Sequence, residues 1–295
     1  MNITSKTKIL GIFGYPIGHT VSPSMHNAAI KALGLDMVYL PFEVKPSSLG
    51  EAVKGVRGLG MLGLNITIPH KITVVKFLDR ISDEARLIGA VNVIVNKNGL
   101  LIGHNTDGKG YLASLKEEYG FTTKGKNIVI LGAGGAARGI AAAIAREGAR
   151  SITVANRTLS RGASLVKTFK SIFPHVRFEA ISLNKDTIKA YLEDTHLLIN
   201  TTPVGMKVNK DLKMPLSAMP KDAIVSDIVY APMETLLLKK AAQLRLATHS
   251  GLGMLIHQGA LSFKLWTGID APVEVMRKAA LKALKPKGQG SRVRG

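Results

Sequence analysis

Within seven residues, Asn65-Ile-Thr-Ile-Pro-His-Lys71 offers an amide, a hydroxyl and an amine that could act on one small polar molecule. The run from Leu62 to Thr67 reads as a strand. Residues two apart on a strand share a face, so Asn65 and Thr67 project together. Pro69 stiffens the exit, and Lys71 stands at the start of a helix predicted over 72–81. A lysine at a helix N-terminus, sheltered in a cleft, is biased toward its neutral form relative to an open surface. That bias suits proton exchange with an alcohol near neutral pH. A surface lysine that caps nothing has the same spacing, so the segment alone leaves both readings open.

Gly103-His-Asn-Thr-Asp107-Gly108 supplies an acid that could serve such a lysine. In one reading the Asp107 carboxylate pairs with Lys71 and orients it; in the other it caps the helix predicted over 108–118. Gly89-Ala-Val-Asn92 sets an amide at a strand start, apt for the hydroxyl groups of a polyol. Ser22-Pro-Ser24 gives two hydroxyls at a helix start, with Pro23 suited to the first helical position and one serine available as a cap. A carboxylate held by such hydroxyls at a positive helix end would be bound well.

These side chains need elements to position them, and the apolar pattern supplies them. Strands predicted at 8–14, 37–44, 62–67, 90–95 and 100–103 alternate with helices over 24–33, 48–56 and 72–81. That alternation implies a mostly parallel sheet covered on both faces. Beyond the helix at 108–118 a second alternation begins, with strands near 127–131, 152–156, 176–181, 197–201, 224–228 and 247–249. Six such strands suffice for a doubly wound sheet. Two closing helices, 255–266 and 273–284, are expected to pack back on the first domain. The expected fold is therefore α/β with two domains and a cleft between them, a usual place for a small-molecule site. An N-terminal substrate domain would span 1–108, completed by 255–284, and a Rossmann-type domain would span 109–254. A basic tail over 285–295 is expected to be disordered.

The second alternation opens with Asn127-Ile-Val-Ile-Leu-Gly-Ala-Gly-Gly-Ala-Ala-Arg138, an apolar strand running into a glycine turn and an alanine-rich helix. Gly132 and Gly134 allow a tight turn and close approach to a pyrophosphate, and Ala137 takes the third small position where helix meets strand. Ala133, Gly135 and Ala136 complete the turn, whose unpaired amides form an anion site. The next strand ends in Asn156-Arg157-Thr158, with Arg161 just beyond and no acid where an NAD ribose would need one. Guanidinium groups suit a 2′-phosphate, so the expected cofactor is NADP. Solvated arginines at a helix start would look the same in so basic a protein.

The chain has 295 residues, 46% of them hydrophobic, and no cysteine, which excludes disulfides, thiolate metal sites and a cysteine nucleophile. It carries no apolar run long enough to span a bilayer and no signal-like N-terminus, so a cytoplasmic protein without membrane association is expected. Forty basic residues against twenty acidic give +20, which raises nucleic-acid binding as a reading. The tail holds only four of the forty, so the excess is spread over the body. No finger spacing or RNA-binding signature accompanies it, and a surface that attracts anionic small molecules is preferred, with no nucleic-acid partner expected. The eight histidines include no His-Glu-x-x-His pattern, so no metal is expected.

Taken together, Ser22-Pro-Ser24, Asn65-x-Thr-x-Pro-His-Lys71, Gly89-Ala-Val-Asn92, Asn105-Thr-Asp107-Gly108, the glycine turn, Asn156-Arg-Thr158 and Gly251-Leu-Gly-Met-Leu-x-His-Gln258 resemble the shikimate dehydrogenase family over nearly the whole chain. The resemblance implies NADP-dependent interconversion of 3-dehydroshikimate and shikimate in aromatic amino-acid biosynthesis. It assigns proton transfer to Lys71 and Asp107. It gives the substrate carboxylate to Ser22 and Ser24 with help from Tyr230, and the ring hydroxyls to Asn65, Thr67, Asn92, Asp107 and Gln258. Gly251 and Met254 would lie near the nicotinamide. Two departures stand out: Ala231 where the family often has Asn, and Val93 where Thr is frequent. A relative that oxidises quinate or uses NAD, a non-catalytic NADP-binding regulator, and assembly as a homodimer all stay open at this stage.

Overall fold

The computed structural model describes residues 3–206 and 211–285. Its first half builds β1 (Lys8–Gly14), α1 (Ser22–Ala32), β2 (Met37–Glu43), α2 (Leu49–Gly58), β3 (Gly63–Ile66), β4 (Arg80–Ile81), α3 (Asp83–Ile88), β5 (Val93–Lys97) and β6 (Leu100–His104). The strands form one sheet in the order β2-β1-β3-β5-β6-β4. Strand β1 runs parallel to β2 and β3, and β4 runs parallel to β6. Around β5 the pairing is antiparallel on both sides. The reversal from β5 into β6 comes from Asn98-Gly99, both at positive φ, a two-residue turn whose twist suits a hairpin. The hairpin returns the chain at His104 opposite Val93, so Asn92 and Asp107 flank one strand pair.

The linking helix α4 (Asp107–Tyr119) leads into β7 (Asn127–Leu131), α5 (Gly135–Glu147), β8 (Ser151–Asn156), α6 (Leu159–Ile172), β9 (Arg177–Ser182), α7 (Lys185–Leu192), β10 (Leu197–Asn200), β11 (Ile224–Asp227), α8 (Leu236–Gln243) and β12 (Ala247–Ser250). All six strands are parallel, in the order β12-β11-β10-β7-β8-β9. The order turns back between β7 and β10, the switch point where such sheets bind ligands beyond their strand ends. Strands β7 and β10 are buried along their whole length, as apolar runs covered on both faces must be.

Helices α9 (Gly251–Thr267) and α10 (Val273–Leu284) close the described chain. Phe263, Trp266, Met276 and Ala280 pack among Leu10, Met25, Ile30 and Tyr39 of the first sheet and its helix. Trp266 Nε1 donates to the Ile94 carbonyl at 2.9 Å, fixing that contact in direction as well as area. Of the basic tail, only Lys285 lies within the described residues.

Two local expectations are corrected and one helix is added. The segment 72–81 is not a helix but a five-residue 3₁₀ turn over Thr73–Phe77, followed by the short strand β4. Asp79 Oδ2 accepts from Leu101 N and from Arg57 Nη2, both at 2.7 Å, and that tie draws the chain out into pairing with β6. Helix α3 was not anticipated, although Ser82 Oγ accepts from Ala85 N at one end and Gly89 turns left-handed at the other. Helix α9 begins at Gly251, four residues before the expected start, and follows β12 without a loop.

Candidate active site

Lys71 and Asp107 meet at the cleft. Lys71 Nζ donates to Asp107 Oδ2 at 2.6 Å, with the aspartate side chain 2% exposed and the lysine 14%. Lys71 follows β3 through Thr67-Ile-Pro-His, and the buried His70 ring, 2.7 Å from the Val44 carbonyl, pins that turn. Asp107 is the first residue of α4, and its side chain makes no cap. Of the two sequence readings of Asp107, the geometry leaves the lysine pair and removes the cap. The helix expected over 72–81 is absent, so the neighbour of the Lys71 ammonium is the Asp107 carboxylate rather than the start of a helix of its own.

Behind the pair lies a polar lattice. Asn92 Nδ2 is 2.9 Å from Thr106 Oγ1, 3.0 Å from Asp107 Oδ1 and 3.2 Å from Gln258 Oε1, while Asn92 Oδ1 accepts from Thr106 N at 2.8 Å. An amide has two hydrogens, so it satisfies at most two of those three acceptors, and a ligand hydroxyl can serve the third. Asn65 is more committed. Its Oδ1 accepts from Tyr39 Oη at 2.8 Å, and its Nδ2 reaches Ser262 Oγ at 3.0 Å and the Asn92 carbonyl at 3.2 Å. Only a lone pair on Oδ1 remains free for a ligand. Thr67 lies beside the end of β1, where a Cβ on Gly14 would come within 2.5 Å of its methyl group.

Ser22 and Ser24 occupy the first turn of α1, Ser22 buried and Ser24 open. Thr20 Oγ1 donates to Ser22 Oγ at 3.1 Å. The Tyr230 hydroxyl sits beside Thr20 and the Val21 backbone; burial raises its pKa, against the pull of those two contacts. Tyr230 therefore joins the serine end of the cleft from the loop after β11, and Ala231 lies next to it in that loop.

The glycine turn has the form a dinucleotide needs. Gly132 holds φ +107° with Thr201 and Thr202 pressed against it, a backbone only glycine adopts readily. A Cβ on Gly134 would meet nothing within 4 Å, leaving open space at the N-terminus of α5, where no side chain caps the amides. Ala133 and Ala136 are half-buried around it. At the end of β8, Asn156 Nδ2 donates to the Thr158 carbonyl at 2.7 Å, and Arg157 and Arg161 stand exposed beyond it. Neither guanidinium pairs with an acid among the described residues. On the far side Gly251 presses so closely on the Ile228 carbonyl that a Cβ would overlap it, while Met254 is buried in the core beside α5. These residues fit a diphosphate at α5 and a second phosphate near β8.

Sequence reading missed Thr106, Tyr39 and Ser262. Thr106 stands beside Asp107 in sequence, a hydroxyl next to the acid of the pair. Ser262 stands one turn beyond Gln258 on the same helix face, a spacing that was there to be used. Tyr39 carried no signal beyond being a tyrosine in a strand.

The loop after β3 and helix α4 thus set a lysine–aspartate pair against α5, whose glycine turn is shaped for a dinucleotide. Alcohol oxidation needs both halves, because hydride and proton leave separately, and the protein is an NADP-dependent oxidoreductase acting on a CH–OH group. Residues 12–94 match the family model described as shikimate dehydrogenase substrate binding domain, 113–228 match shikimate / quinate 5-dehydrogenase, and 251–281 match the shikimate 5′-dehydrogenase C-terminal domain. A shikimate dehydrogenase (NADP(+)) from Geobacter metallireducens is 46% identical over 285 residues, covering 97% of this chain and 100% of its own. A crystal structure of a shikimate dehydrogenase in complex with NADP+ superposes with a TM-score of 0.87 at 42% identity, covering 97% of this chain and 98% of its own. The enzyme from Thermus thermophilus in complex with NADP(H) and shikimate gives 0.83 at 34% identity, covering 94% and 100%. The chain belongs to the shikimate dehydrogenase family.

Proposed function

We propose that this chain catalyses the reversible, NADP-dependent reduction of 3-dehydroshikimate to shikimate in aromatic amino-acid biosynthesis, with Lys71 and Asp107 handling the proton. The observation that carries the reading is the 2.6 Å Lys71–Asp107 pair with the lysine stem against Gly135 of the cofactor turn. Residues 1–108 with 255–284 would form the substrate domain, and 109–254 the NADP domain. The proposed location is the cytoplasm.

When bound, NADP supplies or accepts the hydride at the ring carbon. The residues of the chain do the rest. Lys71 gives a proton to the oxygen as the carbonyl becomes an alcohol and takes it back in the reverse direction. Asp107 holds the ammonium in line, and Asn92 holds the other oxygen of Asp107. Ser22, Ser24 and Tyr230 would bind the substrate carboxylate; Asn65, Thr67, Asn92 and Gln258 would orient the ring hydroxyls. Arg157 and Arg161 would hold the 2′-phosphate, with Asn156 and Thr158 shaping their turn. Gly251 and Met254 would border the nicotinamide. Correct orientation of reactants accounts for much of such a rate enhancement.

The test follows NADP reduction at alkaline pH, with shikimate and then with quinate, and repeats both with NAD. Rapid turnover on shikimate with NADP alone is expected. Preference for quinate or NAD would move the chain to that relative, and no turnover on any pair would leave a non-catalytic regulator.

A further inference from the structure

His249, on β12, is wholly buried and touches neither Lys71 nor Asp107 by any hydrogen bond or ion pair. Ser114 Oγ of α4 is 2.7 Å from its Nε2, and Ser226 Oγ of β11 is 2.8 Å from its Nδ1. The Tyr111 ring meets it edge-on at 5.6 Å, and Glu118 Oε2 is 3.8 Å from Nε2. Burial lowers the pKa of the imidazole to about 4, so at neutral pH it carries one donor and one acceptor. Two serines, each able to give or accept, satisfy both ring nitrogens whichever tautomer forms. Filling space would need only an apolar side chain. Bonds at two ring atoms to two separate elements fix a position and an angle.

The surroundings are cut to fit this contact. A Cβ on Gly253 would overlap Ser114 Oγ, so the first turn of α9 is hollowed where the hydroxyl passes. Ser114 stands seven residues beyond Asp107 on one helix, about two turns. A shift or rotation of α4 at Ser114 therefore reaches Asp107 undiminished. The chain also passes from His249 through Ser250 straight into α9, which carries Gln258 to Asn92.

We propose that His249 is a positioning residue: with Ser114 and Ser226 it pins α4 to the β11–β12 edge of the second sheet and so sets where Asp107 meets Lys71. The inference rests on the proton-handling role proposed above for Asp107. The pin belongs to the cofactor side of the molecule, whereas Lys71 and Asn92 belong to the substrate side. Asp107 is thus held from both: on the cofactor side α5 packs against it at Gly139, and His249 adds the hydrogen-bonded hold two turns along α4.

The experiment compares Ser114→Ala, His249→Asn, His249→Gln and Asp107→Asn in the full-length enzyme. Each is followed by kcat, KM, the kcat–pH profile and NADPH affinity by fluorescence. Asparagine ends its amide near the place of Nδ1 and keeps the Ser226 bond alone; glutamine reaches the place of Nε2 and keeps the Ser114 bond. The expected result is a loss of kcat of ten-fold or more in Ser114→Ala and His249→Asn. Their pH profile shifts, KM and NADPH affinity stay within two-fold, and His249→Gln recovers to within about three-fold of wild type. Wild-type kcat in a folded Ser114→Ala, or equal losses in the asparagine and glutamine variants, would overturn the pin. Should Ser114→Ala not fold, the contrast between asparagine and glutamine decides alone. If Asp107→Asn keeps wild-type kcat, the role of Asp107 fails instead, which is a separate and recognisable outcome.

Discussion

The stem of Lys71 lies directly over Gly135, so that a Cβ on the glycine would stand 2.7 Å from the lysine Cβ. One residue belongs to the loop after β3, the other to the first turn of the cofactor helix. The amine that would meet the substrate is thereby set against the turn that would hold the dinucleotide. Gly135→Ala should push Lys71 off Asp107 and lower kcat by about ten- to a hundred-fold, since misplacements of an ångström have that effect. Steady-state kinetics with a thermal-melting control checks it; an active, well-folded alanine variant would show that the contact is incidental.

Removing the proton-handling group should be more severe. Lys71→Ala is expected to lose roughly 10²–10⁴ in kcat, the range for a positioned acid–base group. NADPH affinity should survive, because Lys71 has no part in the phosphate contacts proposed. Turnover is read spectrophotometrically and affinity by fluorescence titration on the same preparation. Wild-type turnover would remove Lys71 from the chemistry.

Arg157 is exposed at the end of β8 with no acid beside it in the turn. If it holds a 2′-phosphate, Arg157→Ala forfeits a charge-assisted contact of about 1.5–3 kcal/mol. That corresponds to roughly a 10- to 150-fold fall in the NADP-to-NAD preference. The ratio of kcat/KM for the two cofactors measures it, and an unchanged ratio returns Arg157 to an ordinary surface role.

Three buried groups set a pH signature for stability. Burial lowers the pKa of His26 to about 3 and that of His249 to about 4, from about 6.5 when unfolded. Their neutral forms suit the fold, so their contribution is complete above pH 6.5 and is lost as pH falls, through about 4 for His249 and about 3 for His26. Asp227 is opposite: burial raises it to about 6, against hydrogen bonds from Val229 N, Thr235 and Asn200. Its contribution is complete below its unfolded pKa, near 3.8, and is lost as pH rises through 6. Near pH 5 the unfolded chain holds about two protons on these histidines that the fold leaves off, while the fold holds about one on Asp227 that the unfolded chain lacks. The net slope from these groups is about 1.4 kcal/mol per pH unit. Asp227→Asn should steepen the measured slope by about 1.4 kcal/mol per unit, and His249→Gln should flatten it by the same amount. Urea unfolding across that range would sink the assignment if the Asp227→Asn slope matched wild type.

How much of this could be read beforehand depended on whether the deciding contact was local. The second sheet was legible because its strands are long apolar runs and its turn carries Gly132 at a backbone angle the sequence announces. Helix α3 was equally announced, by Ser82 at its start and Gly89 at its end, but at six residues it fell below the length at which a periodic pattern registers. The false helix over 72–81 had apolar residues at helical spacing, and what defeated it was Asp79 reaching a strand far along the chain. In the site, Lys71 and Asp107 stood out by residue type, yet their meeting across 36 positions depended on the Asn98-Gly99 reversal. Tyr39 acts on Asn65 from across β1 in the first sheet and Ser262 from α9, so strand order in one case and helix packing in the other set contacts that nothing in their neighbourhoods marked.

The return of α9 and α10 to the first sheet also sets an order of assembly. Asn92 and Thr106 are fourteen residues apart and can find each other as soon as their hairpin leaves the ribosome. Gln258 joins Asn92 from 166 positions away, and Trp266 reaches Ile94 from 172. Domains made during synthesis form from the N-terminal end. The nascent chain therefore carries a half-built pocket, its apolar flank bare, for the whole time in which the second sheet is being made. Among the described residues α9 and α10 are the last elements made, so the pocket is complete only after both have docked.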